Sequence, residues 1–141
     1  MKKILLLIVV LSNMSMRGQQ SPQTIAEDFF IKYEKSTSEA INYIFSTNHY
    51  FSKQQTTDFI KKVNDGLRAL GDYCGNELIQ KENIGSSFIL FNYLVKYERQ
   101  PVKFSFIFYK PKDTWLLYNF NFNAELDIEL QSAAKINLLI K

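Results

Sequence analysis

The stretch Lys61 to Gly75, KKVNDGLRALGDYCG, contains the one point in the chain where the period of the apolar residues changes. Up to it, Phe59, Val63, Leu67 and Leu70 follow one another at spacings of four, four and three, the stripe of a helix. Beyond Gly71 the apolar residues alternate, as they do along a strand. Gly71 itself is a natural helix stop, because glycine takes a left-handed backbone without a Cβ penalty. Helices collected before one glycine and strands after it predict an α+β domain with an antiparallel sheet.

Towards the N-terminus the same period predicts two further helices. The first starts near Ser21 to Thr24, where Pro22 suits a first turn and Thr24 with Glu27 has capping-box spacing. It carries Ile25, Phe29 and Tyr33 on one face, widened by Phe30. The second follows Ser36, with Glu39 three residues on, and turns Ile41, Ile44 and Phe45 inward. The third runs from about Ser52 to Leu70.

Towards the C-terminus four extended segments are expected: Asp72 to Gln80, Ser86 to Tyr97, Val102 to Tyr109 and Thr114 to Asn123. The turns at Glu98 to Pro101 and Lys110 to Asp113 each hold a proline, which a central strand position would reject. Such short connections make an antiparallel meander. Val102, Phe104, Phe106 and Phe108 share one face of the third strand, and Leu116, Tyr118, Phe120 and Phe122 are expected to share one face of the fourth. The opposite faces are not polar either, since Phe88, Leu90, Leu94, Ile107, Tyr109, Trp115 and Leu117 fall on them. Three helices cover one face, so the other calls for a partner subunit, a ligand, or a short C-terminal helix bearing Leu126, Leu130, Ala133 and Leu138.

Thr24 to Tyr33, KKVNDGLRALGDYCG and Asp113 to Phe122, DTWLLYNFNF, together resemble the nuclear transport factor 2-like superfamily, also called the cystatin-like fold, and most of all its small secreted bacterial domains. The resemblance covers nearly all of residues 19 to 141 and rests on core and turn positions, which identify a scaffold and not a chemistry. It implies three N-terminal helices packed on a curved four-stranded antiparallel sheet that leaves a cone-shaped cavity, with the outer sheet face often pairing with another copy. Its members include isomerases, dehydratases, cyclases, ligand binders and structural oligomer modules.

The N-terminus reads as a secretory leader: Lys2 and Lys3, an apolar run of eight from Ile4 to Leu11, then the polar stretch Ser12 to Gln20. Eight residues are far fewer than the roughly 20 that span a bilayer. Cleavage is expected after Gly18, with Ser15 as the alternative, giving a leader at 1 to 18 and a single domain at 19 to 141. Lys2, Lys3 and Arg17 account for the whole formal charge of +3, so the remainder balances 14 basic against 14 acidic residues. A neutral domain without a basic cluster argues against nucleic-acid binding. Cys74 is the only cysteine, which excludes an internal disulfide and a thiolate metal cluster; it is expected to be a half-buried strand residue. With no leader cysteine to take a lipid, the product is expected to be soluble, in the periplasm or outside the cell, and not a lipoprotein.

Catalytic signatures are sparse. His49 is the only histidine, which rules out two-histidine zinc sites, and it falls in the polar loop Thr47 to Ser52 as a surface or packing residue. Glu125, Asp127 and Glu129 alternate near the end, and read as a solvated edge or the acidic first turn of a helix. No phosphate-binding glycine loop and no G-x-S-x-G elbow occurs, and neither a cofactor nor a metal is expected. The reading preferred is a non-catalytic binding or protein-interaction module. Tyr93, Tyr97, Tyr109 and Trp115 would wall a pocket for a small apolar or aromatic ligand, and the second sheet face would form a homodimer or meet another envelope protein. The alternative is a small cofactor-free lyase or isomerase in which Asp72 or Glu77 is the base and Tyr93 or Tyr97 holds the enolate oxygen.

Overall fold

The computed structural model describes residues 20–139, so the expected leader and its cleavage site lie outside the described residues. Three helices come first: α1 (Pro22–Tyr33), α2 (Thr37–Ser46) and α3 (Lys53–Leu67), followed by one 3-10 turn at Arg68–Leu70. Four strands then form an antiparallel sheet in sequence order, β1 (Tyr73–Ile84), β2 (Phe88–Tyr97), β3 (Pro101–Tyr109) and β4 (Leu116–Asn123), and α4 (Leu126–Leu139) closes the chain. The fold is α+β, as the change of period at Gly71 predicts.

Each N-terminal helix starts on a serine. Ser21, Ser36 and Ser52 accept from the backbone N–H three residues on, and Ser52 with Gln55 completes a reciprocal capping box. The cap of α1 is thus Ser21, not Thr24; Glu27 instead accepts from Gln23 on the helix surface. Pro22 at the first turn leaves Ser21 as the natural residue before it. The α3 stop occurs where expected, with Gly71 at φ 84°.

The core is an aromatic stack between the helices and one face of the sheet. Phe29 and Phe30 from α1 meet Phe104 and Phe106 of β3, and Phe106 also packs on Tyr93, Phe108 and Phe120 at 4.4–6.4 Å between ring centroids. Ile41 and Ile44 of α2, Val63 and Leu67 of α3, and Phe91 and Val95 of β2 complete it. The loop between α2 and α3 is pinned to β4, with Asn48 Nδ2 donating to the Leu117 carbonyl at 2.8 Å and Thr47 Oγ1 accepting from Leu117 N at 3.0 Å.

The alternation expected along β4 is broken by a bulge. Ile107 pairs with Asn119 while Phe108 pairs with Leu117, so Tyr118 is the extra residue. Leu117, Phe120 and Phe122 consequently face the core side, whereas Leu116 pairs with Tyr109 and Tyr118 is 59% exposed. Bulges at Cys74 and Ile79 do the same to β1, and Cys74 is exposed instead of half-buried. Strand β1 also continues to Ile84, four residues past the expected end, because Lys81, Glu82 and Asn83 make a charged and polar sheet edge.

On the outer face a polar row crosses the sheet. Ser105 Oγ donates to Asn92 Oδ1 at 2.6 Å, and Asn92 Nδ2 donates to Gln80 Oε1 at 2.7 Å. Helix α4 reaches this face at its start, where Glu129 accepts from Lys103 of β3 and from Asn123. Leu126 is half-buried, but Leu130 and Ala133 are exposed, and the Leu138 side chain lies outside the described residues. Among the described residues, the apolar stripe expected to cover the second face therefore does not do so; polar contacts of the first turn hold the helix.

Candidate functional site

The α3–β1 junction is stitched to the turn between β2 and β3. Asp72 N donates to Glu98 Oε2 at 3.0 Å, Glu98 N to the Asp72 carbonyl at 3.2 Å, Arg99 N to the Leu70 carbonyl at 3.0 Å, and Arg99 Nη1 to the Ala69 carbonyl at 2.9 Å. These bonds satisfy the carbonyls left over at a helix C-terminus. Gly71 and Asp72 of this junction line a cavity of about 410 Å³.

Three tyrosines line this cavity: Tyr33 from the last turn of α1, Tyr73 from the first residue of β1 and Tyr97 from the last of β2. The register pairs Tyr73 with Tyr97, and the Tyr33 ring lies edge-on to Tyr73 with centroids 5.4 Å apart. The Tyr33 and Tyr97 hydroxyls are hydrogen-bonded at 2.5 Å, and Tyr73 Oη accepts from Asn76 Nδ2 at 2.6 Å. Val63 and Leu67 of α3 supply an apolar wall, while Arg68 and Asp72 stand exposed at the mouth. Asp65, also at the mouth, is paired with Lys61 at 2.6 Å.

Burial raises the pKa of all three phenols. For Tyr97 the proximity of Tyr33 pushes in the same direction and the value lies well above the ordinary one, whereas for Tyr33 the hydrogen bond with Tyr97 partly offsets burial. Tyr73 is raised chiefly by burial, against the bond from Asn76. At neutral pH the cavity thus presents uncharged hydroxyls that both donate and accept, set in flat aromatic walls.

The expected pocket residues fall in different places. Tyr97 lines the cavity, but Tyr93 is only 4% exposed and packs on Phe30 at 4.8 Å within the core. Tyr109 lies at the other end of the β2–β3 ladder, opposite Phe88, and lines a separate depression. Trp115 packs half-buried against the core with the Lys110 ammonium 5.1 Å from its ring. Of the carboxylates, Asp72 is at the cavity mouth, whereas Glu77 is exposed and ion-paired with Lys96 at 2.9 Å. His49 is exposed, its ring 4.1 Å from that of Tyr50. Asp127 and Glu129 form the acidic first turn of α4.

Tyr33, which the helical period places on the core face of α1, and Tyr73 line the cavity as well. Their signal lay in the meander itself: the first residue of one strand must pair with the last of the next, which brings Tyr73 beside Tyr97. Among the described residues no helix is long and apolar enough to cross a membrane. No protein-family model, curated protein or solved structure matches the chain, so the cavity's geometry alone indicates its chemistry.

Proposed function

We propose that this chain is a non-catalytic binding module, an exported domain of the nuclear transport factor 2-like kind, which holds a small, flat, uncharged ligand in the tyrosine-lined cavity. The observation that carries this reading is the convergence of Tyr33, Tyr73 and Tyr97 on one cavity of about 410 Å³, beside the apolar side chains of Val63 and Leu67. Aromatic walls with a few convergent hydroxyls suit an aromatic ring bearing one polar group. Export rests on the basic, apolar and polar order of residues 1 to 20.

A second reading draws on Asp72 and Tyr97 lining the same cavity. A carboxylate base with a phenol to hold an enolate is the minimum for proton abstraction beside a carbonyl. Against it, Asp72 is exposed, while such a base gains strength from a dry, enclosed site. One probe separates the two readings: 4-hydroxyacetophenone in deuterated buffer, followed by proton NMR. The binding module predicts saturable line broadening that Tyr97→Ala abolishes, with the acetyl protons unexchanged. Protein-dependent exchange of those protons that Asp72→Asn removes would establish the enzyme instead.

Self-association through the outer sheet face is proposed alongside ligand binding. Helix α4 exposes Ile128, Leu130 and Ile136, and a helix of 14 residues is marginal in water without a packing partner. A second copy, offering the half-buried Leu90 and Ile107 of its own outer face, would supply that partner. Sedimentation velocity on the parent and on a Leu130→Glu, Ile136→Glu variant tests this: a dimer converted to monomer is expected, and a parent that is monomeric at all concentrations contradicts it.

A further inference from the structure

The tyrosine cavity is apolar in its depth and charged at its rim. Val63 and Leu67, one turn apart on α3, are buried and line it beside the rings of Tyr33 and Tyr97. The next stripe round the helix is polar. Asn64 and Arg68 also line the cavity but are exposed, and the Arg68 N–H donates to the Asn64 carbonyl, which sets the two residues one turn apart. Asp72, directly after Gly71, brings a carboxylate to the same rim.

The rim charges are of both signs, and two of them are uncommitted. Asp65 is held by Lys61 at 2.6 Å, but among the described residues neither Arg68 nor Asp72 forms an ion pair. Deeper in, the phenols are already matched, Tyr33 with Tyr97 and Tyr73 with Asn76. The walls therefore take a plain ring without leaving a buried hydroxyl unpaired. The ionic recognition left over is one cation and one anion, Arg68 and Asp72, at the open end.

We propose that the ligand of this cavity is a free aromatic α-amino acid, its ring among the tyrosines, its carboxylate at Arg68 and its ammonium at Asp72. The inference rests on the cavity being a binding site for a flat, net-neutral ligand, and adds the chemistry of the ligand's polar end. A ligand with a carboxylate alone would meet Arg68 but bring a like charge to Asp72, and an amine alone would do the reverse. A ligand without charge would take water from both side chains and return nothing. A zwitterion answers both charges at once. It also joins ring and charges through two carbons, which suits a cavity of about 410 Å³, near the small end of the roughly 300–1,000 Å³ that ligand pockets span.

Ligand-observed proton NMR tests the proposal with four probes: 4-hydroxyacetophenone for the cavity itself, L-phenylalanine, L-phenylalaninamide, which keeps only the ammonium, and N-acetyl-L-phenylalanine, which keeps only the carboxylate. The last two also stand for the first and last residues of a peptide. L-Phenylalanine is expected to bind about 3- to 10-fold more tightly than either, as partly exposed charge pairs allow. Its preference over the amide should vanish in Arg68→Gln, and its preference over the N-acetyl compound should vanish in Asp72→Asn. Both positions are exposed, so both variants should keep the parent's melting temperature. Salt at about 0.5 M should narrow both preferences in the parent. If 4-hydroxyacetophenone binds but the three phenylalanine compounds bind equally or not at all, or if the preferences survive both substitutions, the inference is overturned and the cavity remains a binding site. If none of the four binds, both readings fall.

Discussion

Replacing Gly71 by alanine probes the junction that forms one side of the cavity. Gly71 has φ 84° and ψ −161°, a region that costs an L-residue about 1–3 kcal/mol. A Cβ there would stand 2.3 Å from Glu98 Oε2 and 3.0 Å from Glu98 Cβ. The carboxylate must then swing away and release Asp72 N, which it now accepts from at 3.0 Å. Loss of a hydrogen bond to a charged group is worth about 1.5–3 kcal/mol, and the exposure of Glu98 places this one at the lower end. Together these predict a loss of about 2.5–4.5 kcal/mol, or on the order of 10 °C in melting temperature for a domain of this size. Urea and thermal unfolding followed by far-UV circular dichroism and Trp115 fluorescence would measure it. In a Glu98→Ala background the carboxylate clash and its hydrogen bond are already gone, so Gly71→Ala should cost the backbone share of about 1–3 kcal/mol and the small shift that relieves the remaining Cβ contact. A cost below about 1 kcal/mol in the parent, or equal costs in both backgrounds, would refute the reasoning.

Phe106 is fully buried among six other aromatic rings, so Phe106→Ala should cost about 3–5 kcal/mol in urea unfolding, whereas Phe106→Leu should cost clearly less. Tyr33→Phe and Tyr97→Phe should each destabilise by about 0.5–1.5 kcal/mol, because each leaves one partner of a part-buried hydrogen bond alone; the double variant should cost less than their sum. Burial pushes Tyr93 up to about 12, and burial together with Asp28 does the same for Tyr43, from an ordinary value near 10. A phenol raised on folding keeps its full contribution below pH 10 and loses it as the pH climbs towards the folded value, so stability should fall between about pH 10 and 12. Absorbance at 295 nm and circular dichroism, read across that range, should show these phenols ionising together with unfolding. Ionisation complete well below the loss of structure would contradict the burial.

Much of the architecture was legible because it depends on period and on a few backbone-restricted residues. Ser36 starts a helix where its spacing to Glu39 says it can, and Gly71 stops one because its backbone requires glycine. What escaped was whatever a single inserted residue decides. Tyr118 is a bulge, and one extra residue reverses which face the preceding side chains take, so Leu116 and Tyr118 leave the face occupied by Phe120 and Phe122. Strand β1 outruns its apolar alternation because its last residues form a solvated edge. The site was half legible. Tyr97 and Asp72 line the cavity, whereas Tyr93, Tyr109 and Trp115, which the sequence offers beside Tyr97, lie elsewhere, and telling them apart requires face and register, which composition does not reveal. Tyr33 is brought in by the packing of α1 across the sheet, a contact 64 residues long in sequence with no local signal.

The most direct measurement is native mass spectrometry of the protein purified from the cells that make it, beside a Tyr97→Ala variant prepared in the same way. A discrete organic mass retained by the parent and absent from the variant is the predicted result. Parent protein that carries no added mass, whatever its subunit number, would contradict the claim that the tyrosine cavity is a binding site.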